Sequence, residues 1–417
     1  MLKPRDSRKF DIVLFGATGF TGKEVAEYLA LYGPQGMRWS LAGRSLAKLE
    51  TLKKRLVDIS PNSSNIDVVT ADVNDKSSLH DIVRDAKVVI TTVGPYTKYG
   101  TPVVEACVQN KTDYVDITGE TPWIKKIIEQ FHMTAESCGT ILVPSCGFDS
   151  VPSDIGTLMV VDFIKQKWDR DTGEVKGTVK WLKGGISGGT IQSTFAVLEQ
   201  PWSAIEMFTD PYFLSPVTGQ QGFSLPLCYD SDFGKWQGPH FLAASNERLV
   251  QRSYGLKSIA GHSYGKFFSY REYFSYRNII TALLATISWS FVSMALFIPP
   301  LRWILQKYAL QPGSGPTKEQ IEKGGFECQF IGEACIEPYE KPLKAMAKVK
   351  GFKDPGYGET AKMVSECALA LVYDRQRIPG KGGIMTPSTA FGHVLVERLN
   401  AAGMELSVEA LTKSKDD

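Results

Sequence analysis

Three glycines, Gly16, Gly19 and Gly22, recur at three-residue intervals in GATGFTG, directly after the apolar run FDIVLF. In a turn from strand to helix, the first such glycine permits the tight turn, the second lets a pyrophosphate approach the main chain, and the third lets helix and strand pack closely. The helix that follows offers unpaired amides and the positive end of its dipole to phosphate. Gly16, Thr18, Gly19, Phe20 and Gly22 are therefore candidate dinucleotide contacts, with a plain turn around a packing glycine as the competing reading. The next strand runs into GRS, which places Arg44 and Ser45 where an NAD enzyme would carry a carboxylate for the ribose 2′-hydroxyl. A guanidinium instead pairs two-pronged with a 2′-phosphate and stacks on adenine. The expected cofactor is NADP, held by Arg44 and Ser45, with Lys48 either a further contact or a solvated helix charge.

Asp72, near the end of a third strand, suits the adenine amino group. Gly94 and Pro95 let the chain pass close to the nicotinamide ribose, though a structural turn explains a Gly-Pro pair nearly as well. Reduction by hydride also needs a group that donates a proton or a hydrogen bond to the developing charge. Tyr96, Tyr99, Asp149 and Ser150 stand at strand ends where such a group belongs, and Tyr96, Asp149 and Ser150 are taken as the catalytic set. Asp149 would act as an acid only with a raised pKa, and capping the helix that begins near Pro152 is its alternative role. Cys146 has no histidine near it in sequence and reads as packing. Five histidines and seven scattered cysteines show no metal-ligand spacing and no disulfide framework, so no metal is expected.

The elements that must position these residues alternate. Strands at 10–15, 39–42, 66–73, KVVITTVGPY, DYVDITGE and GTILVPSCGFDS are separated by helical spacing, which predicts a parallel sheet with ligands outside its strand C-termini. The fold class is α/β: a Rossmann-type doubly wound parallel sheet plus a second α+β domain with an apolar membrane-associating segment. The expected divisions are an NADP-binding domain over 1–155, a substrate domain over 156–385, and a C-terminal helix and tail over 386–417 that packs back on the first domain. DSVPSDIGTLMVVDFIKQKW crosses between the domains. Gly184, Gly185, Gly188 and Gly189 form either a second anion loop or a substrate-side loop. FECQFIGEAC and KAMAKVKGF pair as strands, and Thr386 with Pro387 caps a late helix.

GATGFTG, AGRS, VGPYTKYGTPVVEAC, YVDITGE and CGFDSVPSD, in that order, resemble the saccharopine dehydrogenase-like oxidoreductases and, closer still, the trans-acting enoyl reductases of mycobacterial lipid synthesis. The resemblance implies NADP as cofactor and reduction of a double bond on a lipid or polyketide intermediate supplied to a partner synthase. It also leaves two other classes open: a catalytically silent NADP-binding scaffold or sensor, and a saccharopine-type amino-acid dehydrogenase. For the last, no set of arginines stands out to hold the substrate carboxylates.

From Ile279 to Ile298 no charged residue or histidine occurs, close to the ~20 apolar residues that cross a bilayer core. Aromatics with Lys266, Arg271 and Arg277 precede it, and Arg302, Trp303 and Lys307 follow Pro299 and Pro300, as in an interfacial belt. A buried core helix, a spanning helix and a helix lying in one leaflet compete. The last is favoured, since a spanning helix would strand part of one enzyme across the membrane. In the resembling family, animal members associate with lipid droplets. The expected setting is the cytosolic face of a membrane or droplet, with a hydrophobic or lipid-linked substrate; a homodimer is allowed. A formal net charge of +2 and the lack of basic–aromatic runs argue against nucleic acid. The start, MLKPRDSRKF, has no apolar h-region, so residence facing the cytosol is expected.

Overall fold

In the computed structural model of the protein, residues 3–60, 65–185, 188–199, 201–220, 225–298, 300–303 and 315–411 are described. The first domain alternates strictly: β1 (Phe10–Phe15), α1 (Phe20–Tyr32), β2 (Trp39–Gly43), α2 (Leu46–Ile59), β3 (Asp67–Thr70), α3 (Lys76–Arg84), β4 (Ala86–Thr91), α4 (Tyr96–Asn110), β5 (Asp113–Asp116), α5 (Thr121–Cys138) and β6 (Ile141–Val143). Then α6 (Val151–Trp168) leads into β7 (Thr172–Lys183), α7 (Gly188–Leu198), α8 (Pro201–Thr209), β8 (Cys228–Asp230), β9 (Lys235–Gly238), α9 (Ala243–Ile259), β10 (Ser269–Tyr276), α10 (Ile279–Phe297), α11 (Lys318–Glu322), β11 (Gly325–Ala334) and β12 (Lys344–Gly351). The chain finishes with α12 (Thr360–Tyr373), β13 (Gly383–Ile384), α13 (Pro387–Phe391), α14 (His393–Ala401) and β14 (Glu405–Ala410).

Every residue of β1 and β2 is buried, as expected of central strands covered by helices on both faces. The first sheet is parallel throughout, in the order β13-β6-β5-β4-β1-β2-β3. Its order reverses between β1 and β4, so the crevice for a ligand opens above their C-terminal ends. The second sheet runs β14-β12-β11-β7-β10-β9-β8, antiparallel except where β7 meets β10. Helix α6 starts at the C-terminal edge of the first sheet and lies on the second. A Cβ at its Gly156 would stand 2.2 Å from the Phe330 ring, so glycine is what allows that approach.

The expected boundary at 385 moves. Helix α12 packs between α1 and β4–β5, and β13 extends the first sheet beside β6, so the chain returns to the first domain from Thr360 onward. It then crosses again, because β14 pairs with β12. Local pattern did not reveal this, since Thr360 to Leu371 are buried all round and leave no polar stripe to orient the helix. The late helix has the expected Thr386 cap but breaks at Gly392, where φ is +56°.

Helix α10 is not a core helix. Ala282 is fully buried, whereas Ile280, Leu284, Ile287 and Phe291 stand out as an exposed stripe. The hydroxyls that dilute its apolarity are satisfied within the helix: Thr286 donates to the Ala282 carbonyl at 2.8 Å and Ser290 to that of Thr286 at 2.9 Å. The helix touches the second domain at Thr286, beside Gly238 of β9, and past its end Arg302 donates to the Leu198 carbonyl of α7 at 2.8 Å. Pro299, Lys307 and the tail lie outside the described residues. Arg271, expected among the flanking interfacial cations, is instead turned inward and pairs with Glu247.

Candidate active site

The three glycines differ in what they do. Gly16 has φ +87°, and a Cβ there would stand 2.7 Å from Val93 and 2.9 Å from Thr92 Oγ1. A Cβ on Gly22 would stand 2.2 Å from the Gly16 carbonyl, so α1 sits directly on the turn. Gly19 is the N-cap of α1 and brings no side-chain acceptor. Among the described residues the amides of Phe20 and Thr21 have no main-chain partner, while the Gly19 amide closes the turn onto the Gly16 carbonyl at 2.9 Å. Thr18 is half-buried at the turn, and the Phe20 ring packs edge-on against Tyr357 at 4.9 Å.

Two other helix starts in this domain carry their own anion. Asp75 accepts from the amides of Ser77 and Ser78 at the head of α3. Glu120 takes the amides of Tyr96 and Thr97 at the head of α4, both at 2.8 Å. The heads of α1 and α2 have no such cap: Ser45, the N-cap of α2, makes no capping bond, and Arg44 beside it is exposed with no partner among the described residues. These two heads lie along the C-terminal edges of β1 and β2, where a dinucleotide's linked phosphates and 2′-phosphate would rest. The donor set therefore fits NADP.

Asp72 uses Oδ1 to hold its own turn, accepting from the Asn74 amide at 2.9 Å and side chain at 3.1 Å. Lys48 is a solvated charge on α2. Gly94 and Pro95 sit at the end of β4, and a Cβ on Gly94 would stand 3.6 Å from Ser193 Oγ, an ordinary contact. The protein fold does not demand glycine there. Gly94→Ala is expected to keep stability within about 0.5 kcal/mol and to weaken NADPH binding severalfold, measured by thermal unfolding and by fluorescence titration; unchanged affinity would mean that no cofactor passes that point.

Of the expected catalytic set, Tyr96 is a structural residue. Its buried hydroxyl donates to the Thr91 carbonyl at 3.0 Å and accepts from the Ile117 amide at 3.3 Å, and burial holds its pKa well above the usual value. Tyr99 is exposed on α4. Ser150 is buried at the head of α6, with Oγ directed to Asn246 Oδ1 at 3.4 Å. Asp149 does not cap α6: the N-cap is Ser150, and no side chain bonds the helix head. The Asp149 carboxylate is half-buried over Gly119 at the end of β5 and has no hydrogen bond among the described residues. Burial pushes its pKa up to about 6, and His240 draws it back. Cys146 is buried packing with its thiol on the Val143 carbonyl.

Facing Asp149 from the second domain is a group of residues that sequence reasoning missed. Glu272 of β10 accepts at Oε1 from His240 Nδ1 at 2.9 Å and Asn246 Nδ2 at 2.7 Å, and at Oε2 from Ser153 and Tyr270, each at 2.7 Å. Despite the cost of burial, these donors hold Glu272 below the usual carboxylate range. Ser245 of α9 reaches Thr121 Oγ1 at 2.5 Å, fixing the second domain against the end of β5. The contributors come from β9–α9, β10 and α6, so no local motif could announce them. In the glycine-rich stretch, the Gly185 amide is already taken by the Asp354 carboxylate at 2.6 Å, Gly188 and Gly189 open α7, and residues 186–187 lie outside the described residues.

Comparisons with known proteins point to the same cofactor. Residues 12–143 match the family model described as the saccharopine dehydrogenase NADP binding domain. A protein of Mycobacterium tuberculosis named as a trans-acting enoyl reductase is 35% identical over 97% of this chain and 98% of its own length. A trans-acting enoyl reductase of Mycobacterium leprae is 32% identical over 98% of this chain and 99% of its own. Among solved structures, saccharopine dehydrogenase (L-Glu forming) of Saccharomyces cerevisiae superposes with a TM-score of 0.52 at 14% identity, covering 96% of this chain and 99% of that one; the likeness is one of fold.

Proposed function

The chain belongs to the saccharopine dehydrogenase-like NADP-dependent oxidoreductases, and on that premise we propose that it reduces the carbon–carbon double bond of an enoyl group on a lipid- or polyketide-type substrate at a membrane or lipid-droplet surface facing the cytosol. The bound cofactor supplies hydride from the nicotinamide. The observation that carries the reading is the unbonded Asp149 carboxyl at the head of α6, beside the end of β5 and opposite the second domain. An enolate formed there meets the positive end of an 18-residue helix and a carboxyl whose pKa burial has pushed up to about 6. Main-chain turns at Gly16 and Gly19 would hold the pyrophosphate, and Arg44 with Ser45 would select the 2′-phosphate.

A partner synthase that lacks its own reductase would suit a reductase of the trans-acting kind, as the mycobacterial relatives are named. The exposed stripe on α10, with Trp202 of α8 at 82% exposure, supports a lipid-facing surface. Thr286 beside β9 and Arg302 on the Leu198 carbonyl keep α10 close to one domain, which favours a helix lying in one leaflet. The amino-acid dehydrogenase reading loses ground, because the α9 guanidinium groups of Arg248 and Arg252 are spent on the carbonyls of Met207, Phe208, Leu214 and Ile384.

With a medium-chain trans-2-enoyl thioester in detergent micelles, NADPH absorbance is expected to decay with stoichiometric formation of the saturated thioester. A tight NADPH complex that oxidises no enoyl thioester or cell-lipid extract would favour the silent scaffold.

A further inference from the structure

At the end of β4 a hydroxyl from the second domain faces the turn at Gly94. Ser193 lies half-buried on α7, and its Oγ would stand 3.6 Å from a Cβ placed on Gly94, ahead of Tyr96 ring carbons at 3.8 and 3.9 Å. That hydroxyl donates to Glu120 Oε1 at 2.7 Å, its one bond among the described residues. Glu120 is fully buried after β5. It is the N-cap of α5, yet its carboxylate leaves that helix head alone. It takes instead the amides of Tyr96 and Thr97, each at 2.8 Å, and Thr97 Oγ1 at 2.5 Å. Both of its oxygens accept from main-chain donors, so it accepts from Ser193 as well, and the direction of the hydroxyl proton is set.

With its proton spent on Glu120, Ser193 Oγ keeps only lone pairs, and toward anything lying at Gly94 it can only accept. The sheet order reverses between β1 and β4, so a dinucleotide lies across their C-terminal ends. The heads of α1 and α2 claim the phosphates and the adenosine on the β1–β2 side. The nicotinamide half therefore falls on the β4 side, at Gly94.

Resting on the NADP-reductase reading of this crevice, we propose that Ser193, oriented by Glu120, accepts a hydrogen bond from the nicotinamide nucleoside, donated by its carboxamide NH2 or by a ribose hydroxyl. The cofactor is then held from both domains, its phosphates by the first and its nicotinamide end by a helix of the second. Glu120 is the positioning residue, since it acts through Ser193. Next along the chain, Thr121 Oγ1 meets Ser245 Oγ of α9 at 2.5 Å, so two adjacent residues tie two helices of the second domain to the end of β5. A serine that only stitched α7 to the first domain would need no open ground beside it. Here the neighbour is Gly94, where the fold itself tolerates a side chain.

The experiment is isothermal titration calorimetry of full-length wild type, Ser193→Ala and Ser193→Thr with NADPH, NADH and adenosine 2′,5′-bisphosphate, which carries the adenine half of the cofactor and no nicotinamide. Ser193→Ala is expected to weaken NADPH and NADH alike by about 3- to 10-fold, with the bisphosphate held within about 1.5-fold. Glu120 keeps three other donors in that variant, so the fold is not at stake. Ser193→Thr retains the hydroxyl and is expected to bind NADPH within about twofold of wild type. The reduced 3-acetylpyridine analogue of the cofactor has no carboxamide NH2. If wild type and Ser193→Ala bind it alike, the donor is the carboxamide; if Ser193→Ala loses affinity for it as for NADPH, the donor is a ribose hydroxyl. Unchanged NADPH affinity in Ser193→Ala, an equal loss for the bisphosphate, or a Ser193→Thr as weak as Ser193→Ala overturns the contact. A wild type that binds neither NADPH nor the bisphosphate would sink the reductase reading itself, and the contact with it.

Discussion

Arg44→Ala is expected to weaken NADPH binding by about 10- to 100-fold while NADH binding stays within about twofold. A charge-assisted, two-pronged bond to phosphate contributes roughly 1.5–3 kcal/mol, and about 1.4 kcal/mol is tenfold in affinity. The structure gives no reason for the loss to be disguised by unfolding: Arg44 is exposed at the end of β2, with no partner among the described residues to be abandoned. The effect should also shrink with salt, since the site is open to solvent. Titrating nicotinamide fluorescence with both cofactors at two ionic strengths checks the claim. Equal losses for NADPH and NADH would move the 2′-phosphate elsewhere, and the uncapped head of α2 with Ser45 would need another ligand.

The cofactor half of the site was legible because it is local. GATGFTG places a turn and the head of α1 within a few residues, and GRS does the same for a guanidinium and the head of α2. The second half was hidden for a physical reason: His240, Asn246 and Glu272 reach Ser150 and Ser153 at the head of α6 only through the tertiary fold, and buried polar partners carry no periodic signature. Tyr96 was misleading in the opposite way. A tyrosine after Gly-Pro at a strand end suggests a donor, but its hydroxyl is drawn inward by the Thr91 carbonyl and the Ile117 amide, tying β4 to the end of β5. Composition likewise announced an unusual helix over 279–298 without saying what would cover it. The domain boundary slipped because α12 is buried on both sides, and a helix without a polar face does not say which sheet it serves.

Replacing Ile280, Leu284 and Phe291 together by serine is expected to lower partition onto phosphatidylcholine vesicles by more than about 100-fold, with NADPH affinity unchanged. The three side chains share one face of α10 and stand exposed, Phe291 at 68%. Full burial of each in an apolar phase is worth about 1.5–3 kcal/mol, so even partial insertion of the three sums to more than about 3 kcal/mol, beyond a hundredfold in partition. The fold should tolerate the change, because the face that packs on β9 is made instead by Ala282 and Thr286. Flotation of vesicles with wild type and variant, followed by thermal unfolding of both, separates insertion from misfolding. Anionic lipid should strengthen wild-type binding through Lys266 and Arg277, which are exposed near the start of the helix. If wild type and variant float alike, α10 contributes nothing to lipid binding, and its exposed stripe is left for a protein partner such as the synthase that would present the enoyl chain.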